Sequence, residues 1–219
     1  MKIKNPVYLI VLLALGLVFV SYKWVSTSCT SDKVAEEKVN STISEIMARA
    51  SVRAYSDREV SEEQLDTILK AAMAAPTAGN KQPWRFVVIR DPKTLAYIGD
   101  NFKSMTMVKN ARVAIVVCGD VAATFEGEGR DYWIQDASAA SENLLLAAHA
   151  MGLGAVWCGV YPLKERVDQF SEMLHLPADI LPLNCIAIGY PSGETAPKDK
   201  WKPEYVHYNS WDGKEATLP

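Results

Sequence analysis

Ala75-Pro76-Thr77-Ala78-Gly79-Asn80-Lys81-Gln82-Pro83-Trp84 joins an amphipathic helix to a hydrophobic strand through residues that are small or carry amides. Pro76 fixes a backbone angle, Thr77, Ala78 and Gly79 add little bulk, and Asn80 and Gln82 each bring donors and an acceptor. A flat ligand with a polar edge could lie against such backbone. The plainer alternative is a turn whose amides satisfy only their own chain. A second polar group, Arg49, Ser51 and Arg53, closes a short helical stretch; on its own it reads first as a solvated helix end. The other candidates for chemistry are weak. His149, His175 and His207 fit no ligand spacing, and Cys118, Cys158 and Cys185 each sit in an apolar run where cysteine behaves as a small hydrophobe. A net charge of -3 without a basic cluster argues against nucleic acid as a partner.

The elements around these residues read clearly. Ser61 and Gln64 form a capping box, with Val60 and Leu65 as its staple, before a helix whose apolar face is Leu65, Ile68, Leu69, Ala72 and Met73 and which must stop at Pro76. Phe86–Ile89 is a buried strand closed by Asp91-Pro92. Thr42 and Glu45 make another capping box, over Ile43, Ile46, Met47 and Ala50. A short helix is expected near Lys93–Gly99, strands at Val113–Cys118, Ala155–Val160 and Leu183–Ile188, and helices at Trp133–Met151 and Leu163–Leu174. Residues 121–132 read as a polar loop. Helices alternating with strands would by themselves suggest an α/β fold with parallel strands.

The chain of 219 residues holds one domain and an appendage. Pro6–Tyr22 is uncharged over 17 residues, with Tyr22 and Trp24 placed for an interfacial belt and Lys23 able to snorkel. Residues 1–30 are therefore expected to be an N-terminal membrane anchor or an uncleaved signal, the membrane being entered through 6–25, with lipidation at Cys29 as a variant. Residues 31–41 read as a tether. Lys2 and Lys4 bias the topology toward an extracytoplasmic domain.

Taken in order, several stretches resemble the FMN-dependent nitroreductase family in its short, single-domain form. They are Arg49-x-Ser51-x-Arg53, Pro76-Thr77-Ala78-x-Asn80-x-Gln82-Pro83-Trp84, Gln135-Asp136-Ala137-Ser138-Ala139-Ala140-x-x-Asn143, Gly152-Leu153-Gly154-Ala155-Val156-Trp157-x-Gly159-Val160, Ile188-Gly189-Tyr190-Pro191 and Lys198-x-Lys200. The resemblance spans about 42–211 and leaves 212–219 as a tail. It implies an α+β three-layer sandwich, a central mixed and mostly antiparallel sheet flanked by helices, preceded by one hydrophobic N-terminal helix.

It also implies FMN as bound cofactor and NADH or NADPH as reductant. Arg49, Ser51 and Arg53 would clamp the FMN phosphate, with Lys198 and Lys200 closing from the C-terminal side. Val156, Trp157, Cys158 and Gly159 would face one side of the ring. Pro76, Thr77, Ala78, Asn80 and Gln82 would face the other side from the second subunit of a homodimer. Cys158 stands where better-known members carry an acidic residue, which leaves thiol chemistry open beside the reading as a buried hydrophobe. The ribityl-contacting segment expected near 101–106 has no recognisable motif. The implied activity is ping-pong reduction of nitroaromatic, quinone or related acceptors with no catalytic side chain. A membrane-tethered flavin-binding or electron-transfer module is the alternative.

Overall fold

The computed structural model describes residues 41–215. Residues 41–48 are helical (α1), and the chain divides into two units between Met47 and Ala48. The larger unit, Ala48–Pro219, runs α2 (Glu62–Met73), β1 (Trp84–Ile89), α3 (Pro92–Asn101), β2 (Val113–Asp120), α4 (Tyr132–Ala150), β3 (Gly154–Gly159), α5 (Lys164–Met173) and β4 (Ile180–Gly189). Short 3-10 turns cover Ala78–Asn80, Lys103–Asn110, Gly127–Asp131 and Pro203–Tyr205.

The sheet order is β1-β2-β4-β3, and all three pairings are antiparallel. This corrects the expected mixed sheet. The parallel contact is an isolated bridge between Ser51 and Ala155, outside the named strands. It also explains the continuous apolar runs that mimic parallel strands. In β2, Val113, Ile115 and Val117 enter one core with α2 and α4, while Ala114, Val116 and Cys118 enter another with α3, the 103–110 turn and α5. A strand covered on both faces has no polar side to show.

Local chemistry sets the helix ends. The Gln64 amide donates to Ser61 Oγ at 3.2 Å and the Ser61 amide to Gln64 Oε1 at 3.1 Å, completing the expected capping box. Asp91 caps α3, whose first residue is Pro92. On α4 the buried face is Trp133, Ala137, Ala140, Leu144 and Ala148. Its alanines let the helix lie close on the sheet.

The membrane assignment is corrected. Among the described residues no helix is long and apolar enough to cross a membrane. Segment 6–25, Cys29 and residues 31–40 of the expected 31–41 tether lie outside the described residues, and Ser41, expected in the tether, begins a helix.

Candidate functional site

Val52 is 4% exposed and packs against β3, where the Val52 amide donates to the Ala155 carbonyl at 3.0 Å. That contact lays the 49–53 segment along the outer side of an edge strand. Arg49, Ser51 and Arg53 then meet Lys198 and Lys200 around one cleft of about 220 Å³. Arg49 Nε also pairs with Glu142 Oε1 of α4 at 3.4 Å. Among the described residues no ion pair involves Arg53, Lys198 or Lys200. Four cations and a hydroxyl at one opening are a donor set for a dianion.

β3 continues from this cleft as Val156, Trp157, Cys158 and Gly159. Val156 and Cys158 are buried, whereas Trp157 is 36% exposed on the opposite side of the strand. No atom lies within 4 Å of the position a Gly159 Cβ would take, so the strand ends in open, flat backbone. Arg166 Nη1 donates to the Gly159 carbonyl at 2.9 Å. Burial pushes the Cys158 thiol up to about 11 against the pull of Arg53 and Arg166, and its sulfur lies 3.8 Å from Met107 Sδ. Such a thiol is a packed hydrophobe at neutral pH.

The Pro76–Gln82 turn has an unusual backbone. Gly79, Asn80 and Gln82 have φ of 56°, 54° and 49°, all left-handed. The Gln82 amide donates to Thr77 Oγ1 at 3.2 Å and Gln82 Nε2 to Asn80 Oδ1 at 2.9 Å. A Cβ on Gly79 would stand 2.7 Å from Phe125 Cζ, so only glycine fits between the turn and that ring. The amides that looked free to bind a ligand are partly engaged with one another.

One chain does not bring the two halves of the expected site together. The turn precedes β1 and the cationic cleft flanks β3, and these are the two edges of the sheet. Two strands intervene, a separation of about 14 Å at strand spacing. The turn and the cleft also lie toward opposite ends of the sheet: Trp84 pairs with Gly119 at one end, whereas Ala155, which bridges Ser51, pairs with Ile188, and Ile188 with Val113, at the other. The expected 101–106 segment runs from the end of α3 into the Lys103–Asn110 turn, which buries Met105 and Val108 in the second core.

Three participants escaped the residue-by-residue reading. Glu142 pairs with Arg49, Ala196 lines the cleft, and Asp136 Oδ1 accepts the Ala78 amide at 2.9 Å. The signal for Asp136 was present: a carboxylate directly beside the apolar positions Trp133, Ala137 and Ala140 of one helix.

The sequence profile of the nitroreductase family matches residues 46–110 and 101–190. The chain belongs to the nitroreductase family. A nitroreductase relative from Archaeoglobus fulgidus, provisionally named an NADH dehydrogenase/NAD(P)H nitroreductase, is 44% identical over 169 residues, covering 76% of this chain and 96% of its own. A crystal structure with the same provisional name, from Parabacteroides distasonis, superposes with TM-score 0.74 at 43% identity, over 78% of this chain and 99% of that one. A provisionally named nitroreductase from Desulfovibrio desulfuricans, solved in complex with FMN, superposes with TM-score 0.65 at 34% identity, over 81% of this chain and 98% of that one.

Proposed function

We propose that this nitroreductase-family protein is an FMN-dependent NAD(P)H oxidoreductase that acts as a homodimer on quinone, nitroaromatic or related acceptors. The observation that carries the reading is the cleft of Arg49, Ser51, Arg53, Lys198 and Lys200 set against the start of β3, from which Val156–Gly159 run on along the same edge. FMN is a flat ring joined to a phosphate dianion, and this chain offers flat backbone and a cationic cleft on one continuous edge. The FMN-bound relative supports the same assignment.

In this reading Arg49, Arg53, Lys198 and Lys200 hold the phosphate, with Ser51 adding a hydroxyl donor. Val156–Gly159 lie beside the ring, where Gly159 leaves room for close approach. Pro76, Thr77, Ala78, Asn80 and Gln82 of a second copy close the far side, because their own chain holds them at the opposite sheet edge. Trp201, Tyr205, Tyr208 and Trp211 are all more than 70% exposed and form an apolar strip for that second copy to cover. Bound FMN supplies the hydride and electron chemistry. The protein orients ring and phosphate and leaves one opening, which NADH or NADPH and then the acceptor enter in turn.

The test is direct. Purified protein is yellow and oxidises NADH or NADPH when a quinone or nitro compound is present. A colourless protein that takes up no FMN on reconstitution sinks the proposal.

A further inference from the structure

Asp136 is a carboxylate placed where solvent does not reach it. It is 4% exposed on α4, its Oδ1 accepts the Ala78 amide at 2.9 Å, and its Oδ2 has no partner among the described residues. Burying a carboxylate with half of its acceptor capacity unused is costly, and an apolar side chain of similar size would serve packing at least as well. What the carboxylate supplies is an acceptor for the first amide of the Ala78–Asn80 turn.

The turn needs an outside tie. Non-glycine residues in left-handed conformation persist only where surrounding structure over-determines them, and Asn80 and Gln82 are two such residues. Asn80 and Lys81 amides donate to the Thr77 and Ala78 carbonyls, and the two Gln82 bonds are also internal to the segment. Among the described residues, apart from Arg85 Nη1 on the Gln82 carbonyl at 3.3 Å, the bond to Asp136 is the hydrogen bond that leaves the turn.

The helix under Asp136 is tied to its neighbours on both sides. One turn before it, Trp133 lies so close over Gly119 that a Cβ there would be 2.1 Å from the indole. Two turns after it, Asn143 Nδ2 donates to the Ala71 carbonyl at 3.1 Å, tying α4 to the helix that leads into the turn. A polar group on a pinned helix transmits its position to whatever it holds.

We propose that Asp136 is a positioning residue for the flavin site: through the Ala78 amide it sets how Pro76–Gln82 faces FMN. The inference rests on the flavin reading above. Asp136 itself touches no cofactor.

The experiment compares the full chain with Asp136→Asn and Asp136→Ala. FMN affinity is read by flavin fluorescence, KM and kcat with NADH and a quinone at saturating FMN, and folding by circular dichroism. Asparagine keeps an oxygen for the Ala78 amide, so it holds FMN within about twofold of the unaltered protein. Alanine, assayed well below its thermal midpoint, binds FMN about tenfold more weakly and raises the quinone KM with kcat nearly kept. If the alanine variant does not fold, Asp136→Leu, close in size and apolar, replaces it. The inference is overturned if the folded alanine or leucine variant binds FMN as tightly as the unaltered chain, or if asparagine loses as much as alanine does. A purely structural Asp136 would lower the thermal midpoint and leave the affinity of folded protein unchanged, which also overturns it. No FMN uptake by the unaltered chain removes both this inference and the flavin reading; uptake that ignores Asp136 removes this one alone.

Discussion

Ser51 and Ala155 form a parallel bridge, and this contact places a cationic cleft on the edge of an otherwise antiparallel sheet. The two proposed contacts to FMN, phosphate clamp and ring-facing strand, are thereby one rigid unit. Their spacing follows from that backbone bridge and from Val52 packed against the strand.

Gly154 is where this unit is most easily broken. A Cβ there would stand 2.6 Å from both Cβ and Cγ1 of the buried Val52. Gly154→Ala is expected to destabilise the fold by about 2 kcal/mol, as overpacking of a filled core does, and to weaken FMN binding by displacing Arg49–Arg53. Urea unfolding and FMN titration measure the two effects, and an unaltered midpoint would show that Val52 yields freely.

Lys198 and Lys200 line the cleft and form no ion pair among the described residues, so their proposed role is to meet a ligand's charge. Replacing both with alanine is expected to weaken FMN about tenfold while leaving riboflavin, which lacks the phosphate, unaffected. Raising the ionic strength should reproduce part of that loss for FMN only. Equal loss for both ligands would place the lysines elsewhere in recognition.

A site completed by a second copy makes a complementation prediction. Arg53→Glu removes the clamp, and Gly79→Val strains a residue at φ 56° against Phe125. Each variant alone should be inactive. Mixed after reversible dissociation, half the dimers are heterodimers with one intact site, so about a quarter of full activity returns. Mixtures as inactive as their components would show that each chain builds its site alone.

Cys158 sets part of the alkaline limit. Burial raises its thiol from the ordinary 9.0 to about 11, so between those values the unfolded chain gives up a proton that the folded chain keeps. The unfolded state then binds fewer protons, and stability, intact below pH 9, falls as pH rises toward 11. Cys158→Ala should shrink the stability lost between pH 8 and pH 10 by about 1 kcal/mol. Denaturant titrations of both proteins at the two pH values measure it, and parallel losses would refute a buried thiol.

Much of the domain was readable before any coordinates. The capping box of Ser61 and Gln64, the stop at Pro76 and the apolar stripe from Ala137 to Ala148 are local events, written in spacing a few residues long. Strand direction was not readable this way. Val113–Cys118 is apolar throughout whether its neighbours run parallel or antiparallel, because cover on both faces erases the alternation that would tell. The membrane reading rested on a local signal, hydropathy over Pro6–Tyr22, which lies outside the described residues; among the described residues no helix is long and apolar enough to cross a membrane.

By itself the sequence determined which groups are available: cations at 49, 53, 198 and 200, a strand running through Gly159, and a small-residue turn at 76–82. Only the tertiary structure decided their partition. It drew residues 49 and 200, far apart in the chain, into one cleft, and it held the turn at the opposite sheet edge. The physical reason is that ladder pairing and two-faced burial are collective. Which edge a strand occupies depends on all of its neighbours, and so does the choice of Asp136 as the buried carboxylate that holds the turn.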